Sequence, residues 1–149
     1  GETIEQRLDD RVLEFGVINN QFAGVKYKYA YSAVSKPGWF LFTGLVKHDM
    51  DTQESWAIDF GPERYGSEPC FAPRIGATDE DDGYLITFVT DMNEDRSECV
   101  IYDAQKPGEG PVARIILPGR MSSGTHATWS QGPTIRGARD AARPERNAA

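Results

Sequence analysis

The chain has 149 residues and a mass of 16.5 kDa, enough to bury one core and hardly two. Charged residues make up 26% and hydrophobic ones 39%, a globular balance too apolar for wholesale disorder. The net charge of −7 and pI near 4.8 argue against non-specific binding to nucleic acid or an acidic membrane surface, and no run of about 18 apolar residues is present to span a bilayer as a helix.

From the N-terminus, Gly1 stands without an initiator methionine, which fits either a removed leader or a piece of a longer protein. No basic start followed by an apolar run marks a signal peptide. Val12 to Ile18 alternates, with Glu14 and Gly16 on one face and Leu13, Phe15 and Val17 on the other, which predicts a strand. Lys26 to Tyr31 alternates in the same way, Lys36-Pro37-Gly38 signals a turn, and Trp39 to Val46 is an aromatic and β-branched run. Ser55 to Phe60 resumes the alternation, and Cys70 to Pro73 is a short strand stopped by its proline. The acidic turns Asp79–Gly83 and Asp91–Asp95 flank Tyr84 to Thr90, which pairs with Ser97 to Tyr102 as a hairpin; Val112 to Leu117 is the last strand. Residues 136–149 carry a net charge of +2, no aromatic side chain and Pro144, and are expected to be a frayed or disordered tail, with a weak helical turn at most, behind a body of residues 1–135. No segment shows a helical stripe of ten or more residues. Cys70 and Cys99 lack C-x-x-C spacing and read as buried thiols in a reducing, cytoplasmic setting.

Short strands separated by turns predict an antiparallel all-β sandwich, barrel or propeller. Val46-Lys47-His48-Asp49 and Val100-Ile101-Tyr102-Asp103 lie 54 residues apart, a spacing near that of propeller blades. A ring needs about four blades or more, and this length supplies about three.

Several chemistries find no motif. There is no G-x-G-x-x-G, no G-x-x-x-x-G-K-[ST] and no G-x-S-x-G. The acidic run Asp79-Glu80-Asp81-Asp82 lacks the spacing of a calcium loop and reads as a solvated turn. A metal site would have to draw on the two histidines: His48, at a strand end and read as packing or solvent-facing, and His126, in Gly124-Thr125-His126-Ala127.

Three blocks resemble the C-terminal part of the carotenoid cleavage oxygenase family, which includes the lignostilbene dioxygenases and the retinal pigment epithelium isomerase. They are Leu13-Glu14-Phe15-Gly16-Val17-Ile18-Asn19, then Tyr65 to Arg74 followed by Glu80 to Leu85, and then Leu117 to Trp129. The resemblance covers roughly Asp9 to Trp129 and implies an all-β fold, the C-terminal portion of a seven-bladed β-propeller with a non-haem Fe(II) on its axis held by four histidines. It further implies that His126 is one of those ligands and that Glu14 and Glu68 hydrogen-bond ligand imidazoles. Gly16 stands where the family has proline, and Thr125 where it often has phenylalanine, which implies a cavity of altered polarity or shape. The implied function is that of a fragment of an oxygenase cleaving a conjugated C=C bond of a carotenoid, apocarotenoid or stilbene to carbonyl products. Its implied partners are O2 and an apolar substrate, and the resemblance allows a peripheral membrane contact of the parent. One histidine cannot complete a four-nitrogen site, so the chain alone is not expected to be catalytic. The alternative is a non-catalytic β-domain that binds an apolar ligand or a protein partner.

Overall fold

The computed structural model describes residues 1–122 and 126–141. Strands β1 (Leu13–Val17), β2 (Tyr29–Ser35), β3 (Phe42–Asp49) and β4 (Ser55–Asp59) form an antiparallel meander, each strand paired with the next. The second unit starts with two short strands, β5 (Arg64–Gly66) and β6 (Cys70–Pro73), that both pair with β7 (Gly83–Asp91). It continues through β8 (Arg96–Asp103) and β9 (Pro111–Ile116). The chain thus folds into two successive four-stranded blades, the first strand of the second being split in two. The 54-residue sequence repeat joins β3 to β8, the third strand of each blade. In both copies the closing aspartate accepts backbone N–H bonds from the turn that follows, from Asp51 and Thr52 at Asp49 and from Gln105 at Asp103.

The alternating sequence explains how the blades stack. Along β7 every second residue, from Gly83 to Asp91, is buried, because a strand sends successive side chains to opposite faces. Leu85, Val89, Val100 and Tyr102 of the second blade meet Tyr31, Ala33, Leu45 and Ile58 of the first in one apolar core. Tyr31 stacks on Phe71 with ring centroids 5.5 Å apart. At one end of this interface Lys47 is buried; its Nζ donates to Asp81 Oδ2 at 2.6 Å and to the Ala104 carbonyl at 2.9 Å. At the other end Arg64 binds Asp91 and Glu98, and Arg114 donates to the same Glu98 oxygen at 3.0 Å.

Four expectations need correction. Among the described residues the blades number two rather than about three, because each takes a whole 54-residue repeat. The third strand begins at Phe42, since Gly38 (φ +79°) turns the chain and leaves Trp39 and Phe40 in the hairpin loop. The acidic turn after β6 is only partly solvated: Asp79 is exposed, but Glu80 accepts the backbone N–H groups of Lys28 and Tyr29, and Asp81 neutralises Lys47. Finally, Gly132–Ala141 form a helix, α1, which takes in the first six residues of the segment expected to be disordered. Pro133 suits a first turn, and Ala and Arg favour the helix even without an apolar stripe. Residues 142–149 lie outside the described residues.

Candidate metal centre

The two implied carboxylates occupy matching places. Glu14 and Glu68 are 54 residues apart, and each lies where the first strand of its blade is interrupted. In β1 the pairing with β2 slips between Glu14 and Val17, around Phe15 at φ +52°. A bulge of this kind re-aims the side chains beside it. In the second blade the break is the Ser67-Glu68-Pro69 gap between β5 and β6, and it is firmly stitched. Ser67 N–H donates to the Phe88 carbonyl at 2.9 Å, Phe88 N–H returns to Ser67 Oγ at 3.2 Å, and Thr87 Oγ1 donates to the Ser67 carbonyl at 3.0 Å. Gly66 is required before the gap, because a Cβ there would lie 2.3 Å from the Phe60 ring.

Glu68 is thereby held with its side chain only 12% exposed, against a His126 side chain that is 77% exposed. Its Oε2 accepts from His126 Nδ1 at 3.1 Å and from the Ala127 backbone N–H at 2.9 Å. An ionised carboxylate can only accept, so Nδ1 carries a proton in this contact; in the neutral ring that tautomer leaves the lone pair on Nε2. The Phe15 ring meets the imidazole edge-on, with centroids 5.0 Å apart and planes at 72°. The segment bearing His126 is anchored upstream by Met121 N–H donating to Ser97 Oγ at 2.9 Å. The result is an oriented, largely exposed imidazole whose Nε2 has no hydrogen-bond partner among the described residues, an arrangement that metal-binding histidines adopt. Such a nitrogen suits iron, cobalt or zinc. Among the described residues no three His, Cys, Asp or Glu side chains cluster as a metal cage.

The other expected residues fall as follows. Glu14 is exposed on β1, and no histidine stands opposite it among the described residues. Thr125 lies outside the described residues. His48 is a packed histidine, 4% exposed, with Nε2 2.9 Å from Asp9 Oδ2. The Arg11 guanidinium holds the Asp9 carboxyl well below the usual range against the opposing effect of burial, and His48 assists. Cys70 and Cys99 are free thiols, both pushed upward in pKa by burial. Sequence reasoning missed Phe15 as the neighbour of His126. Its alternation marked the strand face correctly, but nothing in the pattern announced the bulge.

Two stacked antiparallel blades, with a carboxylate at the break in each first strand and one of them bound to an imidazole, define a piece of a β-propeller. Residues 1–131 match the family described as retinal pigment epithelial membrane protein, and the chain belongs to this carotenoid cleavage oxygenase family. It is 38% identical over 117 residues to the chloroplastic 9-cis-epoxycarotenoid dioxygenase NCED6 of Arabidopsis thaliana, covering 78% of this chain and 20% of that one. It is 32% identical over 132 residues to the apocarotenoid-15,15'-oxygenase of Synechocystis, covering 87% and 27%. A solved structure of Synechocystis apocarotenoid oxygenase, the Trp149Ala mutant, superposes with a TM-score of 0.79 at 30% identity, over 85% of this chain and 27% of that one. The cobalt-substituted form of that oxygenase matches equally well. The fold is therefore all-β, with antiparallel blades of the seven-bladed propeller, and the family is generally iron-dependent. The chain spans about a fifth to a quarter of the length of the curated relatives it matches.

Proposed function

We propose that this chain supplies one corner of the metal centre of a non-haem Fe(II) oxygenase, which oxidatively cleaves a conjugated C=C bond of a carotenoid, apocarotenoid or stilbene to carbonyl products. The observation that carries the reading is the Glu68–His126 pair. His126 offers Nε2 to the metal, Glu68 fixes the tautomer and plane of the ring by accepting the Nδ1–H hydrogen bond, and Phe15 walls off one side of it. Fe(II), when bound, supplies open coordination positions at which O2 can react. Glu14 holds the matching acceptor place in the preceding blade and would orient an imidazole from elsewhere in the protein. Relatives named for carotenoid, apocarotenoid and lignostilbene cleavage support the substrate class.

The test is direct. The intact, iron-loaded protein is incubated under O2 with one member of each substrate class, and products are identified by mass spectrometry. Two carbonyl fragments with oxygen drawn from labelled O2 are expected; no cleavage of any of the three would refute the reading.

A further inference from the structure

The aromatic contacts of the centre do not end at Phe15. Its ring meets Phe42 at 5.4 Å and Phe40 at 5.8 Å, and Phe40 meets Phe42 at 5.1 Å, all in edge-on geometry. The three form a continuous apolar wall beside His126, graded from the buried Phe42 (1% exposed) to Phe40 at 57%. Trp39, next in the loop, is 68% exposed.

This exposure belongs to a held loop rather than a frayed one. Lys36 N–H donates to the Leu41 carbonyl at 2.7 Å, and Trp39 N–H donates to the Lys36 carbonyl at 3.0 Å. Lys36 Nζ ties the hairpin to the second blade through Tyr65 Oη at 3.0 Å. In this chain, which spans only about a quarter of its relatives' length, the fixed loop leaves Trp39 and Phe40 more than half exposed, so something apolar from outside the described residues is expected to cover them. Continuity with the imidazole says what. A flat conjugated chain laid against ring edges gains both area burial and the preferred edge-to-face contact.

Resting on the oxygenase reading, we propose that Phe40 is a specificity-determining residue. Its ring extends the Phe42–Phe15 wall outward from His126, grips the substrate's conjugated chain, and so sets which double bond lies at the metal. A stilbene, being short, reaches Phe15 but gains little from Phe40; a long polyene spans both.

The test uses the intact protein. Metal-free wild type, Phe40→Ala and Phe40→Tyr are titrated with a long polyene aldehyde and with a stilbene, followed by quenching of tryptophan fluorescence, and the iron-loaded forms are assayed on both. Phe40→Ala is expected to raise the polyene Kd about tenfold, to raise KM in the same ratio, and to change kcat less than about twofold. Stilbene binding stays within about twofold, and Phe40→Tyr restores the polyene values. If wild type binds and cleaves the polyene while Phe40→Ala leaves Kd, KM and the cleaved bond unchanged, the inference falls and the oxygenase reading stands. A lowered Tm in Phe40→Ala with unaltered polyene affinity overturns the inference as well, because the ring would then pack against protein. If wild type neither binds nor cleaves either ligand, the oxygenase reading fails and takes the inference with it.

Discussion

The same face is filled in one blade and open in the other. In the first blade, Tyr31, Ala33 and Leu45 point toward the second blade and are fully buried against it. The equivalent face of the second blade carries Tyr84, Ile86, Ile101 and Ala113, which with Trp129 line an apolar cavity of about 580 Å³. Leu45 and Cys99 are 54 residues apart, on third strands of identical placement, yet one is sealed and the other half-buried. A blade here is completed by its neighbour. Alternation writes an apolar face into every strand set, and stacking decides whether water reaches it. In a propeller ring the open face is where the following blade packs.

A pair of truncations separates the two faces. Leu45→Ala is expected to destabilise the chain by roughly 3 kcal/mol, the cost of a cavity in a closed core. Ile101→Ala, on the open face, should cost less than about 1 kcal/mol in the chain alone and more when a following blade covers it. Urea unfolding of both variants reads the contrast; equal losses would mean that the two faces are equally packed.

A second difference lies at the ends of the third strands. Where the first blade has Gly44, so close to β4 that a Cβ would sit 2.1 Å from the Ile58 carbonyl, the second has the buried Glu98. Burial raises the Glu98 carboxyl, and Arg64 and Arg114 more than offset it, leaving the group below its ordinary value of 4.5. A depressed acid contributes stability that is present above its unfolded value and lost as pH falls through the folded one. Glu98→Gln is therefore expected to be less stable than wild type at pH 7, with the gap in Tm narrowing as pH drops below about 4.5. A gap that widens in acid would contradict the sign.

The smallest effect concerns the turns after the third strands. The second blade uses Gly110 at φ +84°, whereas the first places Gln53 at φ +65°, a region that costs a residue with a Cβ. Gln53→Gly should stabilise by less than about 1 kcal/mol, after the entropy that glycine adds to the unfolded chain is deducted. A fall in Tm would mean that the Gln53 side chain makes a stabilising contact of its own.

Most strands were legible because period-two alternation survives burial on one side. The 54-residue repeat was legible too, through matching aspartates that cap matching turns. What the pattern could not carry was anything made by tertiary contact. Arg64–Gly66 is too short to alternate, and the stitching of Ser67 to Thr87 and Phe88 joins residues about 20 positions apart. Asp81 in a run of four acids looks solvated until Lys47 arrives from another blade. At the candidate metal centre, His126 and Glu68 came from resemblance, since a lone histidine 58 residues from a loop carboxylate carries no spacing signal. Their contact, and the Phe15 bulge beside it, belong to the folded chain.

Metal content is the sharpest check on whether Glu68 holds His126 as a metal ligand. In the intact protein at saturating Fe(II), wild type should retain iron in proportion to chain, Glu68→Gln should bind it about 10- to 100-fold more weakly, and His126→Ala should retain none after gel filtration. Iron kept at the wild-type level by His126→Ala would contradict the assignment.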